Sequence, residues 1–285
     1  MNLADINNVR KILESAGFSF KKSLGQNFLI DSTVCPAMAE ATCDDETGIL
    51  EIGPGIGVLT AELGKRAKKV VAVELDERLR PILAKTLKDY PNIKVVFGDA
   101  MKMDLHALIE EEFSDCKRVS VCANLPYYIT SPIVMMLLES RLPLNEITVM
   151  VQKEAAERLC AEVGSRESGA VTVAVGYYAE SEILFEVGRD SFMPPPNVDS
   201  AVIKLKIRET PAVEVTDEKF FFKLVKACFA QRRKTLINSV SNTLGVSKDS
   251  IRTALAELNL EETVRGEKLT MEELAALSEE LKKNV

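Results

Sequence analysis

The chain has 285 residues and a formal net charge of -7, with 46% hydrophobic and 28% charged residues. This composition is that of a globular protein and excludes a fibrous or largely disordered one, and the length predicts about two domains. Because the longest apolar runs are far shorter than the roughly 20 residues that cross a bilayer, no membrane-spanning helix is expected.

The cysteines and the single histidine limit the kinds of metal site, disulfide and catalytic site that can be expected. Six cysteines occur without any Cys-x-x-Cys pair, and His106 is the only histidine, so neither a zinc site nor a disulfide framework is predicted. His106 follows Asp104 at the start of a predicted helix, where a surface role is expected rather than a catalytic one. The first ten residues include Asp5 and lack an apolar stretch, so no secretory leader is predicted and a cytoplasmic location is expected.

The first half of the chain alternates predicted helices with predicted strands. Asp5 and Gly17 bound a short N-terminal helix, and Asp31 is the expected cap of a helix over residues 34–41. Five apolar, β-branched runs then alternate with segments of helix length: 49–52, 70–75, 93–97, 119–123 and 147–151. This order predicts a parallel sheet with crossover helices.

The pattern becomes less regular beyond these strands. Residues 170–178 are ambiguous, because their β-branched content favours a strand and their position after Gly169 favours a helix. Two further runs, 183–187 and 201–207, are predicted to pair as strands at one edge of the sheet.

The C-terminal part of the chain is predicted to be helical. Pro211 marks a linker, and the last helix is expected to open with a capping box made by Thr270 and Glu273. We therefore predict two domains, residues 1–209 and residues 210–285.

A glycine-rich loop follows the first strand of the predicted sheet. Gly53, Gly55 and Gly57 stand in the sequence Glu-Ile-Gly-Pro-Gly-Ile-Gly that begins at Glu51, where the absence of side chains lets a ligand approach the backbone. A tight strand-to-helix turn without a ligand is the alternative that the loop alone leaves open.

Two acidic residues at strand ends accompany this loop. Glu74 comes about 20 residues after Gly53, the spacing at which a carboxylate reaches the hydroxyls of a ribose. Asp99 follows the third strand, where it can accept a hydrogen bond from the amino group of an adenine or, alternatively, cap a turn. Together the three sites predict a cofactor that contains adenosine.

The glycine spacing is poorly suited to a dinucleotide, because the third glycine comes one position early and Pro54 intervenes. The segment from Glu51 to Gly57 instead resembles the first motif of Rossmann-like methyltransferases that use S-adenosylmethionine. The resemblance implies that the loop approaches the methionine part and the ribose of that cofactor. We therefore expect an α/β fold, a Rossmann-like class I methyltransferase sheet, with a smaller all-helical C-terminal domain.

The most specific short motif follows the fourth predicted strand and consists of Asn124, Leu125, Pro126 and Tyr127. Adenine N6 is a poor nucleophile because its lone pair is delocalised into the ring. The Asn124 side-chain oxygen and the carbonyl of Leu125 or Pro126 can accept the two N6 protons, and Tyr127 offers a flat face to an extruded base. Methyl transfer then depends on alignment rather than on a strong general base. A proline turn with a buried tyrosine is the alternative interpretation.

Nearly the whole chain resembles the ribosomal RNA small-subunit adenine dimethyltransferase family, whose members make N6,N6-dimethyladenosines near the 3′ end of small-subunit RNA. Apart from the motif at residues 124–127, the matching segments are Leu24-Gly25-Gln26-Asn27-Phe28-Leu29, Gln152-Lys153-Glu154, Phe192-Met193-Pro194-Pro195-Pro196-Asn197-Val198-Asp199-Ser200 and Gln231-Arg232-Arg233-Lys234-Thr235.

The resemblance implies roles for residues along the chain. The implied cofactor site comprises Gln26, Asn27, Leu29, Gly53, Gly55, Gly57, Glu74, Leu75, Asp99, Ala100 and Asn124. Within it, the glycines would hold the methionine part, Glu74 the ribose and Asp99 the adenine. Phe192 would close over the target base opposite Tyr127, although a hydrophobic plug is the alternative for this residue.

An RNA-binding surface is predicted from the distribution of charge. Between Lys219 and Lys248 the chain has seven basic residues and no acidic one. Lys219, Lys223 and Lys226 share one helix face, which favours contact with phosphates, although a merely solvated face is the alternative. The predicted RNA-binding residues are Lys21, Lys22, Lys223, Arg232, Arg233 and Lys234.

We therefore predict an enzyme that takes methyl groups from S-adenosylmethionine and places two on each of two neighbouring adenosines of small-subunit (16S) rRNA, within a precursor of the 30S particle. It is expected to act as a monomer, without a metal ion and away from membranes. Three alternatives are a 23S rRNA adenine methyltransferase of the macrolide-resistance type, a ribosome assembly factor that acts mainly by binding, and a nicotinamide dehydrogenase.

Overall fold

The computed structural model describes Leu3, Asn8 and residues 28–283. Apart from Asn8, the predicted N-terminal helix lies outside the described residues, and so do four predicted site residues, Lys21, Lys22, Gln26 and Asn27. No helix in the described part of the chain is long and apolar enough to cross a membrane.

The described strands form one large sheet and one small one. They are β1 (Phe28–Leu29), β2 (Thr47–Ile52), β3 (Lys69–Glu74), β4 (Ile93–Phe97), β5 (Arg118–Asn124), β6 (Glu146–Gln152), β7 (Ala179–Val187), β8 (Phe192–Met193) and β9 (Ser200–Ile207). The large sheet has the order β4-β3-β2-β5-β6-β9-β7. Its pairs are parallel from β4 through to β6, whereas β9 runs antiparallel to β6. The small sheet joins β1 to β8 in antiparallel pairing.

Helices connect the strands and make up most of the C-terminal part. The described helices are α1 (Val34–Thr42), α2 (Val58–Gly64), α3 (Arg80–Thr86), α4 (Leu105–Phe113), α5 (Thr130–Glu139), α6 (Lys153–Leu159), α7 (Ala170–Tyr178), α8 (Glu218–Ala230), α9 (Leu236–Leu244), α10 (Lys248–Glu257) and α11 (Met271–Lys282). Short 3-10 helices add Glu77–Leu79, Arg189–Ser191 and Gly266–Lys268. The predicted parallel sheet with crossover helices is confirmed, as is the pair β9 and β7 at one edge.

The centre of the large sheet is apolar on both faces because helices cover both faces of a parallel sheet. Every residue of β2 is buried. In one apolar cluster, Met38 and Ala39 of α1 and Leu63 of α2 join Ile49 of β2. In a second cluster, Ile82 of α3 packs with residues that follow β2.

The start of α1 corrects one expectation. Thr33, and not Asp31, is the N-cap residue. The Asp31 carboxylate accepts hydrogen bonds from the backbone N–H of Thr33 at 2.9 Å and from its Oγ1 at 2.7 Å. Asp31 therefore closes the turn before the helix, a common alternative use of an aspartate.

The contacts within the chain define two compact units. The first unit is Met1–Ala156 with Glu182–Ile207, and the second is Glu157–Ser181 with Arg208–Val285. The predicted division at residue 209 therefore differs from the structure for the segment 157–181.

Aromatic packing explains why α7 belongs to the second unit. Tyr177 of α7 lies 5.5 Å from Phe221 of α8 between ring centroids, and the ring of Tyr178 stacks on that of Phe222 at 5.5 Å. The ambiguous segment is therefore a helix, and its apolar side chains, which read as a strand in the sequence, cover α8. At α11 the predicted capping box of Thr270 is confirmed.

Candidate active site

Loops at the carboxyl ends of β2, β3, β4 and β5 enclose a pocket in the first unit. Parallel strands end at the same edge of a sheet, so residues far apart in sequence meet there. Gly57 begins α2 as its N-cap and does not line the pocket. The predicted site residues that do line it are Leu29, Gly53, Gly55, Glu74, Leu75, Asp99, Ala100, Asn124, Leu125, Pro126, Tyr127 and Phe192.

The glycine loop adopts a backbone that other residues rarely adopt. Gly53, Gly55 and Gly57 have φ angles of +73°, +59° and +91°, all in the left-handed region. The N–H of Gly53 donates to the Val73 carbonyl at 2.9 Å, which fixes the loop against β3. Among the described residues, a Cβ at Gly53 would meet nothing within 4 Å, whereas one at Gly57 would lie 3.0 Å from Leu87 Cδ2. Gly53 is thus the position at which a ligand can approach the backbone.

Glu74 ends β3 and lies buried against this loop. Its Oε2 accepts a hydrogen bond from the N–H of Gly55 at 3.2 Å, and its Oε1 accepts one from the N–H of Asp76 at 2.8 Å. Burial raises the pKa of Glu74 above its usual value, and the two backbone hydrogen bonds oppose that rise. Each oxygen keeps a lone pair with which it can accept from a ligand hydroxyl.

Glu51 also lines the pocket, although the sequence did not single it out as a site residue. It is only 1% exposed, and its Oε2 has no hydrogen-bond partner in the described structure. Burial, together with the nearby charge of Glu74, raises the pKa of Glu51 to about 8. A buried polar oxygen without a hydrogen-bond partner is unfavourable, so Oε2 of Glu51 points to a ligand that carries a hydrogen-bond donor.

The far end of the pocket combines a carboxylate with exposed apolar side chains. Asp99 accepts a hydrogen bond from the N–H of Met101 at 3.0 Å and pairs with Lys102 at 3.2 Å, so it caps a turn. A carboxylate has about four acceptor sites, and this use leaves room for a ligand amino group. Leu75 and Met101 are 55% and 38% exposed and both line the pocket, which suits a flat apolar ring.

In the turn at residues 124–127, the structure shows which backbone carbonyl, that of Leu125 or that of Pro126, is available to a ligand. The Pro126 carbonyl accepts hydrogen bonds from the N–H of Ile129 at 3.1 Å and from Thr130 Oγ1 at 3.3 Å. Because a carbonyl oxygen has two lone pairs, that acceptor is fully used. The Leu125 carbonyl and the Asn124 amide make no such bond within the described chain. Leu125 is therefore the backbone acceptor that remains available beside Asn124.

Tyr127 is held by a residue that is distant in sequence. Its hydroxyl lies 2.7 Å from Oγ of Ser200, which is fully buried. The ring is only partly buried and lines the pocket. Burial raises the pKa of the Tyr127 hydroxyl, while the bond to Ser200 opposes that rise. Tyr127 is thus an oriented pocket wall rather than a buried core residue.

Phe192 reaches the pocket through the small sheet. In the register of β1 and β8, Phe192 is opposite Leu29. Both are 3% exposed and belong to the apolar core. Phe192 is therefore buried in the core and also contributes to the pocket lining, and its contact with the target base stays a prediction.

The predicted cationic face lies in the second unit. On α8, Lys219, Lys223 and Lys226 are exposed, whereas Phe221, Leu224 and Val225, which lie between them in sequence, are buried. Arg232, Arg233 and Lys234 follow and are exposed as well. Arg232 donates to the Arg166 carbonyl at 3.0 Å, and no acidic residue of the described chain pairs with these six cations.

Four residues near this chemistry were not predicted: Glu51, Met101, Tyr128 and Ser200. Met101 directly follows the predicted Ala100, and Glu51 stands within the glycine motif, so their positions carried a signal. Ser200 ends one of the segments that match the family, but its contact with Tyr127 spans 73 residues and no spacing in the sequence indicated it. Among the described residues, no group of three side chains could hold a metal ion.

This topology and pocket define a Rossmann-like class I methyltransferase, as predicted. A dimethyladenosine transferase from Plasmodium falciparum has a similar structure, with a TM-score of 0.74, 28% identity and coverage of 90% of this chain and 98% of the other. The 23S rRNA methyltransferase ErmE gives a TM-score of 0.67 at 28% identity, over 90% of this chain and 100% of the other.

Sequence comparison identifies the family. Residues 17–283 match the model of the family described as "Ribosomal RNA adenine dimethylase", and the chain belongs to this family. A relative from Geobacillus sp. (strain WCH70), named "Ribosomal RNA small subunit methyltransferase A", is 51% identical over 98% of both chains. One of the same name from Bacillus pumilus (strain SAFR-032) is 52% identical over 96% of this chain and 95% of its own. The predicted enzyme class, an S-adenosylmethionine-dependent rRNA adenine dimethyltransferase, is confirmed.

Proposed function

We propose that this chain transfers methyl groups from S-adenosylmethionine to N6 of two adjacent adenosines near the 3′ end of small-subunit (16S) rRNA, giving N6,N6-dimethyladenosines. The observation that carries the proposal is a single pocket lined by both the glycine loop and the acceptor turn at residues 124–127. The relatives at 51% and 52% identity, which are named for the small subunit, support this RNA over 23S rRNA.

The pocket fits S-adenosylmethionine group by group. The unpartnered Oε2 of Glu51 suits the ammonium of the methionine part, and Glu74 suits the ribose hydroxyls. Leu75 and Met101 offer apolar surface to the adenine ring, with Asp99 beside them for its amino group. When bound, the cofactor supplies a methyl group on a positively charged sulfur, which a nucleophile can attack.

The acceptor turn prepares the adenine nitrogen for that attack. Asn124 Oδ1 and the Leu125 carbonyl accept the two N6 protons, which turns the lone pair of the nitrogen out of the ring plane. Tyr127, oriented by Ser200, stacks on the extruded base, and Phe192 limits the depth of the pocket. Alignment then supplies much of the acceleration, and the alkylated amine releases its proton without a dedicated base.

The exposed cations of the second unit fit the RNA backbone. Lys223 and the Arg232-Arg233-Lys234 segment have no acidic partner in the described chain, so they are available to phosphates. Lys21 and Lys22 remain proposed RNA contacts. In this proposal the enzyme acts as a monomer on a precursor of the 30S particle, which places the reaction in the cytoplasm.

The deciding experiment supplies labelled S-adenosylmethionine and unmethylated small subunits, followed by digestion to nucleosides and mapping of the label. We expect dimethyladenosine at two adjacent positions near the 3′ end of 16S rRNA. Label found only in 23S rRNA, when large subunits are supplied in parallel, would overturn the proposal.

A variant of the acceptor turn tests the chemistry separately. Asn124→Ala removes one of the two N6 acceptors and is expected to abolish most transfer while calorimetry still detects S-adenosylmethionine binding. If Asn124→Ala methylates at the wild-type rate, the proposed role of the turn is wrong.

A further inference from the structure

Tyr128 is a pocket residue to which the proposed chemistry gives no role. It lines the pocket and is 57% exposed, the largest exposed fraction among the large hydrophobic side chains of the described chain. Its neighbour Tyr127 is tied to Ser200, whereas the Tyr128 hydroxyl has no hydrogen-bond partner among the described residues. An aromatic face is thus presented to solvent at the pocket mouth.

The order of the strands places Tyr128 on the substrate side. In the sheet, β3 and β4 lie on one side of β2, and β5 lies on the other. The exposed apolar residues Leu75 and Met101 follow β3 and β4, next to the carboxylates assigned to the cofactor. Tyr128 follows β5, next to the residues assigned to the target adenine. It is therefore separate from the cofactor end of the pocket.

The backbone that carries Tyr128 is fixed. The Pro126 carbonyl accepts hydrogen bonds from the N–H of Ile129 and from Thr130 Oγ1, and these bonds close a turn that contains Tyr128. Helix α5 begins directly after this turn, at Thr130. An aromatic side chain has few rotatable bonds, so a ring on a fixed backbone loses little conformational entropy on binding.

We propose that Tyr128 forms a second nucleobase subsite and stacks on the base adjacent to the adenosine held at residues 124–127. This inference rests on the proposed function. Stacking on an aromatic ring accepts any base, because every base has a π face. When the substrate contains two adjacent target adenosines, the base at this subsite is the other target. Tyr128 thereby holds one adenosine at the pocket mouth while its neighbour is methylated.

Steady-state kinetics with unmethylated small subunits test the subsite through Tyr128→Ala and Tyr128→Phe. We expect Tyr128→Ala to raise the KM for small subunits about tenfold, the effect of losing one base-stacking contact. Tyr128→Phe keeps the ring and should stay close to wild type. Mass spectrometry of the RNA should show that Tyr128→Ala leaves more particles with only one of the two adenosines modified.

A matched control and a binding measurement make the result decisive. Ile183→Ala removes an exposed apolar side chain of β7 that does not line the pocket, and we expect an unchanged KM. All variants should bind S-adenosylmethionine with wild-type affinity. An unchanged KM in Tyr128→Ala, or an equal loss in Tyr128→Phe, overturns the subsite alone. A wild-type protein that does not methylate small subunits overturns the proposed function and the subsite with it.

Discussion

At the scale of single residues, the buried carboxyl of Glu51 couples the stability of the free protein to pH. Its pKa is about 8 in the folded protein, above the ordinary value of a glutamate. The folded state therefore holds the proton more tightly than the unfolded state, so this stabilisation is complete at acidic pH and is lost as the pH rises to about 8.

We therefore expect Glu51→Gln to flatten this dependence. Between pH 5 and pH 8, the Tm of the free wild-type protein should fall relative to that of Glu51→Gln, because the amide never has to bury a charge. Thermal melts of both proteins across this range provide the measurement. Two parallel curves would show that Glu51 does not titrate as inferred.

Ser200 gives a second prediction at this scale. Ser200→Ala leaves the Tyr127 hydroxyl without its partner, so the ring loses its fixed orientation. We expect kcat to fall roughly 10-fold or more, with an unchanged KM for S-adenosylmethionine. In a double-mutant cycle, adding Ser200→Ala to Tyr127→Phe should cost little, because the phenylalanine has no hydroxyl to lose. Full additivity would contradict this role.

The sequence predicted the pocket residues that stand at strand ends, because parallel strands bring such positions together. Glu74, Asp99 and Asn124 were found in this way. The choice between the Leu125 and Pro126 carbonyls could not be made, since it depends on two hydrogen bonds from the start of α5. Spacing does not reveal which acceptors a turn already uses.

At the scale of elements, two glycines of the same loop are expected to differ in function: Gly57 matters more for stability and Gly53 more for cofactor binding. Gly53→Ala and Gly57→Ala both force a side chain into the left-handed region, at about 1–2 kcal/mol each. The added methyl at Gly57 also presses on Leu87, whereas that at Gly53 lies at the pocket and has no neighbour within 4 Å in the part of the chain that the structure describes. We expect Gly57→Ala to lower Tm more and Gly53→Ala to weaken S-adenosylmethionine binding more. Melting curves and calorimetry on both variants provide the measurement. A larger loss of Tm in Gly53→Ala, or a larger loss of cofactor affinity in Gly57→Ala, would contradict the prediction.

The helix α7 shows where local pattern failed. Its residues favour a strand by composition, but the aromatic contacts of Tyr177 and Tyr178 with α8 bury the segment as a helix. Those partners lie about 40 residues further along the chain, and tertiary packing of this kind overrides local propensity. The strands β2 to β6 were predictable because each is a short, buried run between helices.

At the scale of the whole molecule, the two units are interleaved in sequence. A truncated protein that ends at residue 209 would keep α7 but lose α8, which exposes the faces of Tyr177 and Tyr178. We expect it to aggregate or to bind a hydrophobic dye, unlike the full chain. A soluble, dye-negative truncated protein with a cooperative melt would show that residues 157–181 do not need the C-terminal helices.

The cationic face predicts a steep dependence of RNA binding on salt. Neutralising one phosphate contact lowers the slope of log Kd against log salt concentration by about 1. We expect this change for Lys223→Gln and for Arg233→Gln. Lys88→Gln, an exposed lysine of the first unit, should leave the slope unchanged. Equal slopes for all of these proteins would show that the cationic face does not contact RNA phosphates.

The two free acceptors of the turn at residues 124–127 have a consequence for the order of events on a single nitrogen. An unmodified adenine offers two amino hydrogens, one for Asn124 and one for Leu125. After the first transfer only one amino hydrogen is left. One of the two acceptors then has no donor, so the monomethylated adenosine is bound less tightly. Formation of dimethyladenosine therefore depends on whether the second methyl transfer is faster than dissociation of the monomethylated nucleoside from the site. At low S-adenosylmethionine concentration, monomethyladenosine should accumulate.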